Sequence, residues 1–370
     1  MACAMRTGHY ESLGCVSHTL QLVIKQSLFA DEDTTEIIKK FRKIVGHFHH
    51  SEPATRKLKE CQIQCGLPEH ALVQSIDIRW NSTYLMFQRL LEQKNAINLY
   101  TVQHGKIDTL CPTEWEIMKR LVEVLKFFYE ATLDLSLNDA CISIIIPLIS
   151  LLNRKLQARM ENEDEGMTMT KNRLYETMNQ RMSLLKEHPS LIAATLLDPR
   201  FKSKYLTPNA VDTGITEIVS FLIRCSSDSA VNRNAIHSSS SAGPVLVESN
   251  IQKQDESLWD THADNPGGTP CDNNGYDETS ILKQTMKCYL SEPRLQRNAD
   301  IFSYWNSSPY TTLRKAVLKY LSAPPTSIPS EQMFSAAGQI YADRRSNLLG
   351  ENAEKLLFLS YNIRLFGYVY

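Results

Sequence analysis

The sequence predicts a mainly α-helical protein with a small α/β part. Apolar residues recur every three or four positions in several long segments, and strand-like alternation is scarce. The chain has 370 residues, of which 42% are hydrophobic, so it can bury a large core and is expected to divide into domains.

The helical spacing is clearest in residues 33–49 and 113–137. In the second segment, Thr113 and Glu116 follow Pro112 and would form a capping box. Other segments with helical spacing are 19–29, 83–100, 142–159 and 171–187. Only 72–78 alternates weakly as a strand would, and the short apolar run 191–197 fits either a strand or a helix.

The C-terminal part contains two unlike helices. Residues 310–321 place apolar residues on one stripe, which is typical of a helix packed on one side. Residues 351–366 are apolar over most of the circumference, so this helix must be buried on nearly all sides. A central core helix and a helix shared with a second subunit explain this pattern equally well.

A helix start is predicted between these two helices, at residues 326–331. Ser327 or Ser330 would be the cap, with proline in the first turn, where its missing N–H costs nothing. Glu331 would lie at the positive end of the helix dipole, where a carboxylate ordinarily stabilises the helix end.

Charge and cysteine content restrict the function class and the compartment. The formal net charge is −1, so the chain as a whole does not attract phosphate, and contacts to nucleic acid would have to be local. Nine cysteines without a short-spacing framework indicate a reducing compartment, the nucleus or the cytoplasm.

The longest apolar stretch, 141–152, is interrupted by serine and proline and is well short of the roughly 20 residues that a bilayer requires, which predicts no membrane contact.

Residues 226–280 differ in composition from the rest of the chain. They contain a run of four serines at 238–241, several Gly and Asn pairs and few clustered apolar residues. Such a segment cannot bury enough surface to offset its ordering entropy, so we predict a disordered linker.

Two short motifs could carry chemistry. Arg79 and Trp80 could bind phosphate and stack on an extruded base, but the residues alone favour the alternative, in which Trp80 anchors the following helix while Arg79 is solvated. Cys15 and His18 share a helix face and could form half of a zinc site, but packing without metal is favoured. The only candidates for the other half are Cys61, Cys65 and His70, whose spacing matches no familiar finger. No motif for a cofactor or a small-molecule substrate is present.

Several motifs in order resemble the hAT superfamily of transposases and the related zinc finger BED domain-containing proteins. Residues 305–366 resemble the hAT C-terminal dimerisation region: its Glu-Arg-x-Phe-Ser-x-x-Gly pattern matches 331–338, with Gln332 in place of arginine, and the serines that precede it appear as Ser327 and Ser330. Further matches are Arg344-Arg345 before Leu348, Cys15 with His18, 77–83 with Arg79-Trp80, and 197–202.

The resemblance implies a domain arrangement. It implies a truncated RNase H-like core segment at 1–82, a helical insertion domain at 83–225, the linker at 226–280 and a C-terminal helical dimerisation region at 281–370. It further implies a homodimer, or association with other hAT-domain proteins. The dimerisation residues expected are Trp305, Phe334, Leu356, Leu357, Phe358, Leu359 and Ile363.

The resemblance also bears on catalysis. Active hAT transposases hold two divalent metal ions with two aspartates and one glutamate. Glu331 matches the glutamate, whereas the aspartates are expected upstream of Cys15, and residues 1–14 contain none. We therefore expect a non-enzymatic, nuclear protein that needs no cofactor, with Glu331 as a relic. The alternatives are a DNA-binding regulator that uses Arg79, Trp80, Arg344 and Arg345, and, less favoured, an active transposase.

Overall fold

The computed structural model describes residues 13–29, 32–76, 79–105, 107–108, 110–159, 163–236, 277–340 and 349–363. Within these ranges the chain is almost entirely helical, which confirms the predicted class. In the same ranges, extended pairing is limited to one isolated bridge between Ile76 and Arg79. The α-helices are α1 Val16–Ser27, α2 Glu32–His49, α3 Glu52–Gln64, α4 Trp80–Glu92, α5 Lys94–His104, α6 Pro112–Leu135, α7 Ile145–Gln157, α8 Glu165–Met182, α9 Pro189–Leu197, α10 Pro208–Ile236, α11 Glu278–Ser291, α12 Ile301–Ser307, α13 Arg314–Leu321, α14 Ile328–Ile340 and α15 Gly350–Asn362.

Helix α6 begins one residue earlier than predicted and has a different cap. The backbone N–H of Cys111 donates to the Glu114 carboxylate at 2.8 Å, and Lys40 of α2 binds the same carboxylate at 2.9 Å. The predicted box of Thr113 and Glu116 is therefore wrong. Because Pro112 already occupies the first helical position, the cap lies before it.

The predicted helix 83–100 is interrupted at Gln93, which separates α4 from α5. The Gln93 side chain is buried and binds Gln62 at 3.0 Å and the carbonyl of Pro68 at 3.1 Å. These contacts fix the break, because a buried amide needs partners.

The apolar run 191–197 lies within helix α9, at the centre of the molecule. Every residue from Ser190 to Leu197 is buried, and α9 packs against α7, α10, α13 and the 3-10 turn Ile142–Ile144. Burial on all sides explains why the sequence showed no periodicity here. We call the packed helices α1 to α13 the helical body.

Helix α10 continues to Ile236, past residue 226, where the linker was predicted to begin. Residues 237–276 lie outside the described residues, and the helical chain resumes at Glu278. Within the described ranges, no helix combines the length and hydropathy needed to cross a bilayer.

Helices α14 and α15 pack against each other and form a hairpin at the C-terminal end of the described chain. Helix α14 has no buried residue, and in α15 only Ala353 is buried among the side chains that the structure describes. We call this pair the α14–α15 hairpin.

Candidate functional site

A buried ion pair follows α9. The Asp198 carboxylate is fully buried and accepts from Arg200 at 3.0 and 2.8 Å and from the Ser143 hydroxyl at 2.6 Å. Burial by itself would lower the pKa of the Arg200 guanidinium, but the hydrogen bonds to Asp198 outweigh this effect and raise it. The guanidinium of Arg200 is therefore kept charged, and its two hydrogen bonds to Asp198 fix its orientation.

Lys202 joins the same loop to the C-terminal helices. Its side chain is 2% exposed, and the ammonium donates to the carbonyls of Tyr289 at 2.6 Å and Glu292 at 2.9 Å, at the end of α11. The ammonium also lies 4.5 Å from the centre of the Tyr289 ring. Burial lowers the pKa of Lys202, because it disfavours the charged ammonium. The hydrogen bonds to the two carbonyls offset part of the cost of burying this charge.

Glu292 and Trp305 complete this junction. The Glu292 carboxylate accepts from the hydroxyls of Tyr304 at 2.7 Å and Tyr310 at 2.8 Å, and these bonds lower its pKa. The indole N–H of Trp305, 2% exposed, donates to the carbonyl of Leu197 at 3.0 Å. Trp305 was expected at a dimer interface, but the structure places it in the core, since the body of its own chain supplies its partners.

The start of α14 meets the start of α1. The N–H of Ser327 lies 3.4 Å from the Cys15 sulfur, and the N–H of Val16 donates to the carbonyl of Pro325 at 3.3 Å. The base of the α14–α15 hairpin is therefore attached to the body. No sequence pattern predicts this contact, which joins residues 312 positions apart.

Cys15 and His18 do not form a metal centre with the other candidates. His18 is exposed, and Cys61 lies on α3, where its sulfur contacts the amide oxygen of Gln103 at 3.6 Å. In the part of the chain that the structure describes, no three His, Cys, Asp or Glu side chains are grouped as metal ligands.

Glu331 is exposed in the first turn of α14. Its carboxylate accepts from the Ser327 hydroxyl at 2.5 Å, within the same helix start. This contact matches the ordinary role of a carboxylate at a helix N-terminus.

Arg79 and Trp80 have opposite environments. Arg79 is exposed, whereas Trp80 is 3% exposed and packs against Tyr84, with 6.3 Å between ring centres. A base could stack on Trp80 only if the core opened. The structure thus agrees with the alternative in which Trp80 anchors α4.

The α14–α15 hairpin exposes large apolar side chains. Phe334 is 66% exposed, Phe358 61% and Leu359 50%. Leu356 is also exposed, while Leu357 and Ile363 are half-buried. The predicted helix 351–366 is therefore not a central core helix. Arg344 and Arg345 lie outside the described residues.

The buried charges that hold the C-terminal region in place were not predicted from the sequence. Asp198 and Lys202 were noted only as part of a motif, and Glu292 and Tyr310 were assigned no role. A polar residue placed directly after a fully apolar helix was the one available signal, because such a residue is buried only with partners.

Comparisons with known proteins agree with this architecture. Residues 13–124 match the model of the ZBED1 RNase-like helical domain, and residues 285–363 match the hAT family C-terminal dimerisation region. These matches support a transposase-derived protein. In the two matched segments the chain is similar to the hAT transposases and to the zinc finger BED domain-containing proteins.

Three relatives illustrate the relationship. The chain is 29% identical to human zinc finger BED domain-containing protein 4 over 99% of its own length and 30% of that protein. It is 26% identical to mouse zinc finger BED domain-containing protein 6, over 99% of this chain and 39% of the relative. For the putative AC transposase of Zea mays the identity is 25%, over 95% and 44%. The chain thus spans less than half the length of each of these relatives.

Proposed function

We propose that this chain acts by pairing with a second hAT-type chain, either another copy or a related protein, through the α14–α15 hairpin. One observation carries the proposal: Phe334, Phe358 and Leu359 are exposed on two adjoining helices, within residues that match the dimerisation region. Clustered exposed apolar side chains mark interaction surfaces, because burying them gains roughly 25 cal/mol per Å².

The attachment of the hairpin supports this role. Its base is held to the body at Cys15 and Pro325, and the preceding helices are fixed by the junction around Asp198 and Glu292. A surface on a fixed support loses less conformational freedom when it binds.

Size-exclusion chromatography with light scattering tests the proposal. We expect the full chain to be a dimer at about ten micromolar and Phe358→Asp to be a monomer, because a buried carboxylate without a partner opposes association. Leu184→Asp is the matched control, since Leu184 is 78% exposed in the helical body, and this variant should remain dimeric. A strictly monomeric wild-type chain would refute pairing between copies of this chain.

We further propose that this chain does not cleave DNA. Glu331 bonds to Ser327 at the helix start, and one carboxylate does not hold two divalent cations in the geometry that activates water. A nicking assay with Mg²⁺ should give the same background for the wild-type chain and for Glu331→Ala. Nicking by the wild type that Glu331→Ala abolishes would overturn this proposal.

We place this pairing in a nuclear, DNA-associated context. Support comes from the relatives, which are named as transposases and BED zinc finger proteins, and from the exposed position of Arg79. A fluorescent fusion should accumulate in the nucleus. Any direct DNA binding should weaken as salt rises and should fall in Arg79→Ala, whereas salt-insensitive binding would count against contacts to phosphate.

A further inference from the structure

A groove of two adjoining cavities lies on the helical body, away from the residues discussed so far as a pairing surface. The cavities have volumes of about 380 and 530 Å³ and share Asp134, Ile144, Arg200 and Arg297. Helices α6 and α7, the segment 137–144 between them, the loop residues 200–205 and residues 294–302, the last two of which begin α12, line them. We call this feature the α6–α7 groove. Much of its lining, at 127–155 and 200–205, lies outside both family matches.

Apolar side chains line the interior of the groove and are exposed beside both of its cavities. Buried Leu148 and Leu152 line the first cavity, and Leu151 there is exposed. Leu137 and Phe302 are exposed at the second cavity. Large apolar side chains that remain exposed beside cavities of this size are typical of a surface that receives a partner's side chains.

The first cavity has unbalanced positive charge at its rim. Lys155, Lys204 and Arg294 are exposed there, and Glu130 is the opposing acid. The two other cations of this lining are already paired, Arg200 with Asp198 and Arg297 with Asp134. The remaining positive charge favours a ligand that brings carboxylates or phosphates.

The aromatic rings of the first cavity argue against nucleic acid. A cation lies over each of them: Lys155 is 4.9 Å from the centre of Phe127, Arg200 is 5.1 Å from Phe201, and Lys204 is 5.3 Å from Tyr205. A base would have to displace these cations in order to stack.

The charges of the second cavity also favour an acidic peptide over a nucleic acid. Asp139 and Asp300 line it beside the Asp134–Arg297 pair, and the carboxylates of Asp139 and Asp300 repel a continuous phosphate backbone. A peptide, by contrast, can carry acidic residues at one end only.

We propose that the α6–α7 groove binds an acidic, amphipathic segment of a partner protein. One large apolar side chain of the segment enters each cavity, and its carboxylates face Lys155, Lys204 and Arg294. Apolar anchors supply affinity and the charges fix the direction of the segment, as in other groove-bound peptides.

Fluorescence polarisation with the full chain tests this proposal. The probe is a labelled twelve-residue peptide with leucine and tryptophan at helical spacing and aspartates at one end; a peptide with lysines in place of the aspartates is its control. We expect saturable binding of the acidic probe only, weakened at least tenfold in Lys204→Glu/Arg294→Glu and in Leu151→Asp. Lys119→Glu/Lys283→Glu, two exposed cations outside the groove, should change affinity less than twofold.

Phe358→Asp should bind the probe as the wild type does, which separates this site from the pairing surface. The proposal is overturned by equal binding of both peptides, by an unchanged affinity in the groove variants, or by the absence of saturable binding. Displacement of the probe by an oligothymidylate would instead indicate a nucleic-acid site. Displacement by equimolar phenyl phosphate would indicate a small-molecule site.

Discussion

The aromatic residues of the C-terminal region are buried in its first half and exposed in its second half. In α11 to α13, Tyr289, Trp305 and Tyr320 are at most 2% exposed and pack within the helical body. In the α14–α15 hairpin, Phe334 and Phe358 are more than half exposed. Both halves lie within the single dimerisation match, so apolar content alone does not decide burial. What differs is whether the same chain supplies the surface that covers these residues.

The largest expected effect concerns the ion pair that holds the first half. Arg200→Ala leaves the buried Asp198 carboxylate without its main partner and should lower the free energy of unfolding by about 3–5 kcal/mol. Urea denaturation measures this change. Arg297→Ala removes an exposed partner of Asp134 and should cost at most about 1 kcal/mol. Similar losses in the two variants would show that the junction does not depend on burial.

A smaller effect is expected at Trp305. Trp305→Phe removes the indole donor from the Leu197 carbonyl and should cost about 1–3 kcal/mol, because a buried acceptor loses its partner. Light scattering should show the expected dimer in this variant as in the wild type. Loss of the dimer without loss of stability would show that Trp305 contributes to the interface and not to the core.

The second half should show the reverse behaviour. Phe358→Asp should change the stability of the dilute monomer by no more than about 0.5 kcal/mol, because the side chain is exposed. The thermal midpoint of the wild-type chain should rise with protein concentration, since association stabilises the folded state, and this dependence should vanish in Phe358→Asp. If the thermal midpoints of the wild type and of Phe358→Asp were both independent of concentration, the exposed hairpin would not be a pairing surface.

The smallest effect is a pH dependence at Glu292. Hydrogen bonds from Tyr304 and Tyr310 lower the pKa of Glu292 below its ordinary value of 4.5, so its stabilising contribution is present at neutral pH. This contribution is lost as pH falls through the lowered pKa of the folded state. Glu292→Gln should therefore be less stable than the wild type at pH 7, and the difference should shrink towards pH 3 in urea denaturation. A difference that is constant with pH would exclude the ionised carboxylate as its source.

Much of the helical architecture could be predicted from the sequence. Helix α2 and helix α6 differ from the predicted segments by no more than two residues at either end, because their apolar spacing follows one face of a helix. Helix α9 could not be assigned, since a helix buried on all sides has no periodicity to detect. The break at Gln93 could not be predicted, because it depends on contacts with Gln62 and Pro68, which lie in other parts of the chain.

The candidate site was predicted in part. Phe358 and Leu359 were chosen because the helical spacing of the last helix shows excess apolar area, and Phe334 because of the motif; the structure exposes all three, and their role in pairing stays a prediction. Trp305 and Trp80 were assigned by motif, and the structure buries both. A tryptophan has the same sequence signature in a core and at an interface.

The sequence by itself determined that the chain is helical, that its last helix carries more apolar surface than one face can bury, and that its motifs are those of hAT-type proteins. Only the tertiary structure decided which apolar residues are covered within the chain, where Asp198, Lys202 and Glu292 find their partners, and that α6, α7 and two distant loops enclose a charged groove. The physical reason is that helical periodicity is local, whereas burial and charge pairing depend on residues that are far apart in sequence and meet only when the helices pack.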